Sequence, residues 1–147
     1  MIANHDWQIF QFRRWHFQWL AAKGPSAEGF NLAVSDELLG YLESQNSWTG
    51  VVNGDPVVCA GTIQHWPGRH QAWAYFGQGA GTHMLRALRA MDANLAKIRG
   101  RIEMTVRADF TKGQRWAQLL GFSVETPVLK NYGPLGEDHT GYVRIQP

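Results

Sequence analysis

Gly77, Gly79 and Gly81 stand at alternate positions and offer this sequence its best ligand-holding feature. The aromatic run Trp73-Ala74-Tyr75-Phe76 precedes them and reads as a strand. After them Met84, Leu88, Met91, Leu95 and Ile98 step by four, three, four and three, a helical stripe with Arg86, Arg89, Asp92 and Lys97 off it. Thr82 is a first-turn residue of that helix. A strand, a glycine turn and a helix in this order leave backbone N–H groups without partners at a positive helix end. With no Cβ in the way, those groups can face a bulky anion, and the natural guest is a phosphate or pyrophosphate. The dinucleotide fingerprint needs its third glycine where Thr82 stands, and the P-loop needs Gly-Lys-Ser/Thr, so neither motif fits.

Proton-transfer candidates are scattered. Tyr75 lies on the aromatic strand. Glu103 lies on the next strand and can act as a base through water if its face lines a cleft, or simply pair with Arg101 or Arg107. Tyr132, His139 and Tyr142 can reach in from the C-terminal segment, and His65 and His70 flank the preceding turn. The six histidines show no metal-ligand spacing, and Cys59 is alone, so neither a metal site nor an internal disulfide is expected. Cys59 sits in an apolar run and reads as a small core residue. There is no Gly-x-Ser-x-Gly elbow.

The elements that must position these residues fit one domain of 147 residues, 44% hydrophobic. Trp7–Phe12 reads as a strand and Arg13–Lys23 as a core-packed helix stopped by Gly24-Pro25. A loop follows over Pro25–Asn31. Ser35 caps a helix with Asp36 and Glu37 in its first turn and Leu38, Leu39 and Leu42 inward; Gln45-Asn46-Ser47 ends it. Trp48–Val52 and Val57–Trp66 are strands joined through Asn53-Gly54, a hairpin signal. Arg101–Arg107 is a strand with Ile102, Met104 and Val106 on one face. A last helix has Trp116, Leu119 and Leu120 as its apolar side. Ser123–Val128 and Gly141–Ile145 form a final hairpin around a polar loop, Asn131–His139.

The net charge is +2, with ten arginines against four lysines scattered along the chain, which is no nucleic-acid footprint. No apolar run reaches the ~20 residues that span a bilayer, and Asp6 and Arg13-Arg14 break any signal peptide. The expectation is a cytoplasmic protein.

Phe76-Gly77-Gln78-Gly79-Ala80-Gly81-Thr82-His83-Met84-Leu85 resembles the acyl-CoA loop of the GNAT superfamily of N-acetyltransferases, departing from it at Phe76. Ile102–Val106 resembles the family's next strand, and Gln114–Phe122 its last helix with the terminal Gly-Phe. The element order is also that of the family. The resemblance implies an α/β (α+β) fold with a mixed, partly antiparallel sheet, helices on both faces, and acetyl-CoA as acyl donor. It implies that Ala72–Phe76 and Ile102–Val106 splay around the acyl site, and that Trp73, Tyr75, Phe76, Gly77, Gln78, Gly79, Ala80, Gly81, Thr82 and Trp116 hold the donor. Ala117 stands where many relatives have an acidic tyrosine, and Phe110 where many have an asparagine. Tyr75 and Tyr132 are then the substitute acids, with Glu103 the candidate base. The phrases MTVRADF and RWAQLLGF are similar to GNAT-like proteins of tailed bacteriophages, some linked to virion assembly.

Two functions follow. One is acetyl transfer to a small-molecule or peptide amine. The other is a catalytically weak or inactive GNAT-fold factor that works with virion proteins. A nicotinamide-dinucleotide enzyme needs a doubly wound sheet, and the upstream strands read as hairpins instead. Homodimer formation is open.

Overall fold

The computed structural model describes residues 6–23 and 34–147. The loop expected over Pro25–Asn31 lies outside the described residues. Seven strands form one mixed sheet in the order β1-β2-β3-β4-β5-β7-β6. They are β1 (Trp7–Gln11), β2 (Asn46–Val52), β3 (Asp55–Trp66), β4 (Arg69–Phe76), β5 (Gly100–Arg107), β6 (Ser123–Leu129) and β7 (His139–Gln146). The helices are α1 (Arg14–Ala22), α2 (Asp36–Ser44), α3 (Met84–Leu95) and α4 (Thr111–Leu119). A mixed, mostly antiparallel sheet with helices is the architecture expected.

The chain folds as two compact units. The first comprises Met1–Ile63 and Trp73–Ala87. Its sheet begins with β1 antiparallel to β2 and β2 antiparallel to β3. Asn53 (φ 51°) and Gly54 (φ 87°) make the β2–β3 turn, both left-handed as a tight hairpin requires. Ser35 caps α2, its hydroxyl oxygen accepting from the Leu38 N–H at 3.1 Å. Asn46 and Ser47 belong to β2 rather than to the end of α2. Phe12, Phe17, Leu20, Leu39, Leu42 and Cys59 form a buried cluster. Inside it His16 Nδ1 accepts the Arg13 N–H at 3.0 Å and lies 2.8 Å from the Thr49 hydroxyl. Burial pushes the Cys59 thiol up to about 12, which makes it an inert core residue.

The second unit comprises Gln64–Ala72 and Leu88–Pro147. Here β4 runs parallel to β5 through Arg69↔Arg101, His70↔Ile102 and Gln71↔Glu103. β5 then pairs antiparallel with β7 along its length, and β7 with β6. Gly100 has φ 96°, and an added Cβ there would meet the Gly68 carbonyl oxygen at 2.6 Å, so only glycine allows the turn into β5.

In two helices the deepest positions are shifted by a residue or so from those the sequence pattern indicates, with Met91, Leu95 and Leu120 common to pattern and structure. In α3 the deep positions are Ala87, Met91 and Leu95, while Met84 and Leu88 are half-buried. Ile98 falls beyond the helix end. In α4 the buried side is Gly113, Ala117 and Leu120; Leu119 is 65% exposed and Trp116 half-buried. Close approach explains the shift. A Cβ on Gly113 would meet Phe110 Cδ2 at 2.5 Å and Val106 Cγ1 at 2.8 Å, so small residues face inward and the large ones are displaced sideways.

Candidate functional site

In the first unit β4 ends at Phe76 and the chain turns at Gly77. The Gly77 N–H donates to the Val57 carbonyl at 2.8 Å. A Cβ on Gly77 would lie 2.4 Å from Leu20 Cδ2, so the turn presses directly on the core. Gln78–His83 then forms a 3-10 helix that runs into α3 at Met84, rather than the open loop that the glycines suggest. Ala80 is buried within it. Gly79 and Gly81 differ from Gly77. Among the described residues a Cβ on Gly79 would meet nothing closer than 3.6 Å, and one on Gly81 would meet nothing within 4 Å. Neither has a positive φ. The fold itself requires no glycine at these two positions. Both are exposed; at the start of this 3-10 helix the Ala80 N–H donates to the Gly77 carbonyl at 3.1 Å, and the Gly79 N–H, one place ahead of it, has no intrahelical acceptor.

Tyr75 and Trp73 sit on one side of β4, against the buried cluster. The Tyr75 ring meets Phe17 edge-on at 4.9 Å and lies 5.5 Å from Trp73, and Trp73 meets Phe12 edge-on at 5.4 Å. Burial in these aromatic surroundings, and then Cys59 nearby, pushes the Tyr75 phenol above its usual value, so it keeps its proton at neutral pH. The Trp73 indole N–H is buried and has no acceptor among the described residues. His83, next to the glycines, stacks over Trp7 at 6.4 Å and 24°.

The remaining candidates belong to the second unit. Glu103 is the centre of an ion-pair chain. Its Oε1 lies 2.5 Å from Arg69 Nε and 3.5 Å from Arg101 Nε, and Arg101 also holds Glu125. The hydrogen bond from Arg69, with the charge of both guanidinium groups, holds its carboxyl below the usual carboxylate range. Arg107, the other partner weighed for Glu103, pairs with Asp109 instead at 2.5 Å. A carboxylate held this firmly ionised is a weak base.

Tyr132 is 51% exposed in the β6–β7 connection, with its ring 5.2 Å from that of His139. Both His139 ring nitrogens are buried without hydrogen bonds among the described residues; Glu137 at 3.6 Å is beyond that reach. Trp116 meets Phe110 edge-on at 5.4 Å. Ala117 is fully buried, and one turn before it Gln114 accepts the Tyr142 hydroxyl and donates to the Arg107 carbonyl at 3.0 Å.

The nine candidates Trp73, Tyr75, Phe76, Gly77, Gln78, Gly79, Ala80, Gly81 and Thr82 thus share the first unit, and Glu103, Trp116 and Tyr132 belong to the second. Sequence reasoning missed Phe12, Phe17 and the orphaned Trp73 N–H beside Tyr75, and Arg69 beside Glu103. The β4 pattern was the available signal: Arg69, Gln71, Trp73 and Tyr75 alternate onto one face.

Among the described residues no helix is long and apolar enough to cross a membrane. No protein-family model matches the sequence, and no curated protein sequence matches it. Solved structures do match. Ard1 from Thermoplasma volcanium aligns with a TM-score of 0.77 at 16% identity, over 96% of this chain and 98% of that one. The ribosomal-protein-S18-alanine N-acetyltransferase from Escherichia coli gives 0.75 at 18% identity, over 97% and 96%. An acetyltransferase of the GNAT family from Streptococcus pneumoniae gives 0.70 at 10% identity, over 97% and 100%. Strand, 3-10 turn and helix around Gly77–Gly81 therefore lie within a chain that shares its fold with these solved acetyltransferase structures over 96–97% of its length.

Proposed function

We propose that this chain is an N-acetyltransferase that moves an acetyl group from acetyl-CoA to a small-molecule or peptide amine by direct attack. The observation that carries the reading is the open helix start at Gly79 and Gly81, two glycines that internal packing does not need. A diphosphate lying there gains from the helix end and the exposed N–H groups, each contact worth roughly 0.3–2 kcal/mol. The residues from Gly77 to Thr82 hold that group, and the β4 backbone from Trp73 to Phe76 holds the pantetheine amides; Trp116, in the second unit, is the remaining donor-holding candidate. Bound acetyl-CoA supplies an activated acyl carbon. The chain's own part is to position it beside a neutral amine and to protonate the departing sulfur. Tyr75 is the first candidate proton donor, because it lies on the strand proposed to hold the donor and its phenol carries its proton at neutral pH; exposed Tyr132 is the second. Glu103, between two guanidinium groups, is the weakest of the three proposed catalytic residues. The cytoplasm is the compartment that we propose.

Calorimetry with acetyl-CoA tests the site. Gly79→Glu puts a carboxylate where the diphosphate lies, and binding is expected to vanish. Equal affinity in both proteins ends the assignment. Release of free CoA across an amine panel tests the acid. Loss of a general acid costs ~10²–10⁴ in rate, so Tyr75→Phe is expected to fall within that range. If neither Tyr75→Phe nor Tyr132→Phe slows turnover, neither phenol is the donor.

A second reading is favoured by Ala117. This residue is fully buried, so no side chain from that place reaches a leaving group. On this reading the chain is a weak or inactive GNAT-fold protein that serves as an interaction factor, with phage virion proteins as partners. Acetyl-CoA binding without turnover of any amine in the panel supports it.

A further inference from the structure

The sheet ends in two strands of opposite character. β6 carries Glu125 and Pro127, and its pairing with β7 shifts register between Val124 and Thr126 and again between Thr126 and Leu129. Charge, proline and bulges are the devices that stop an edge strand from pairing with another chain. β1, with the sequence Trp7-Gln8-Ile9-Phe10-Gln11, has none of them. It contains no charge and no proline, it pairs with β2 in unbroken register, and Ile9 and Phe10 are 52% and 48% exposed.

Among the described residues the backbone shows which groups of β1 are left over by β2. The Phe12 N–H donates to the Ser47 carbonyl, and the Asn53 N–H donates to the Asp6 carbonyl. Along a strand these groups alternate sides, so the even-numbered residues bond to β2, while Trp7, Ile9 and Gln11 point their N–H and C=O away from it. Ile9 also faces Gly50 across the β1–β2 pair and has no side chain opposite.

We infer that β1 is a self-association edge, on which a second copy of this chain lays its own β1 antiparallel about a twofold axis through Ile9. The register is self-consistent. A twofold at Ile9 sets Ile9 against Ile9 of the second copy and Trp7 against Gln11, and these are the residues whose backbone groups point outward. Antiparallel pairs of that kind exchange both N–H···O bonds. The side chains then set isoleucine on isoleucine and place each Phe10 opposite a Gln8, with no charge to repel its own image. A closed twofold contact uses up the edge and stops at two copies. This inference is independent of the acyl chemistry.

The test is the mass of the full chain in solution across a dilution series, by light scattering or sedimentation. Wild type is expected at twice the 16.6 kDa chain mass. Ile9→Lys sets two ammonium groups against each other at the axis, and Ile9→Pro removes only an outward N–H; both are expected at the single-chain mass. Val128→Lys on the β6 edge is expected to leave the pair intact. A wild type at single-chain mass throughout, as when the edge takes a segment of another protein, overturns the inference, and so does a pair that persists in Ile9→Lys. Amide exchange gives a second reading without a variant. The Trp7, Ile9 and Gln11 amides are expected to exchange slowly when concentrated and faster on dilution; exchange that does not depend on concentration overturns it.

Discussion

Along the single stretch from Gly77 to Leu95, one flank is packed and the other is open. On the packed flank Gly77 presses on Leu20, and Ala87, Met91 and Leu95 are buried. On the open flank Gly79 and Gly81 have no neighbour that needs their smallness, and Leu85 is 62% exposed. Glycines that look alike in the sequence thus have different reasons to be there. One yields space to the protein. The other two leave space that no described residue fills, which is the reason to place a ligand at their end of the turn.

The packed flank should give the largest losses. Met91→Ala is expected to cost about 2–5 kcal/mol in chemical denaturation, through lost burial and a cavity. Leu88 is only half-buried, so Leu88→Ala should cost clearly less than Met91→Ala; equal losses would show that the helix buries Leu88 as deeply as Met91. Gly77→Ala comes next at about 1–3 kcal/mol, since its methyl must displace the side chain of buried Leu20. On the open flank the sign is expected to reverse. Gly79→Ala and Gly81→Ala take backbone conformations that alanine accepts, so each should be neutral or stabilise by about 0.4–1 kcal/mol. If either destabilises the protein as much as Gly77→Ala does, the division between the flanks fails.

The smallest effect concerns pH, where Tyr75 and Glu103 have opposite signs. The folded-state pKa of Glu103 is lowered, so its contribution is present above the unfolded carboxylate value and is lost as pH falls through the lower folded one. Melting temperatures of wild type and Glu103→Gln should therefore converge as pH drops below about 4. A gap that does not change with pH would mean that the ion pairs add nothing. The Tyr75 pKa is raised, so its contribution is present below the ordinary phenol value and is lost as pH rises through the folded one. Tyr75→Phe should thus narrow the alkaline loss of stability above about pH 10.

What the sequence determined by itself is mostly local. The Ser35 cap, the Asn53-Gly54 hairpin and the change from strand to helix around Gly77 each depend on a few adjacent residues and on the backbone angles those residues accept. The 3-10 form of the turn was less legible, because whether a glycine-rich start coils tightly depends on what it packs against. Partners distant in the chain were not legible at all. Arg69 meets Glu103 from 34 residues away because β4 and β5 lie parallel with Gln71 beside Glu103. Ala117 and Gly113, not the larger Trp116 and Leu119, face inward on α4 because Phe110 and Val106 lie close above the helix. A helical stripe marks a face to within a residue or two; only the neighbouring elements choose among those residues, since packing answers to shape as well as to hydrophobicity. The same holds for the bare edge of β1. Its five residues read as a strand in isolation, but only the register with β2 decides which of their backbone groups remain for another chain.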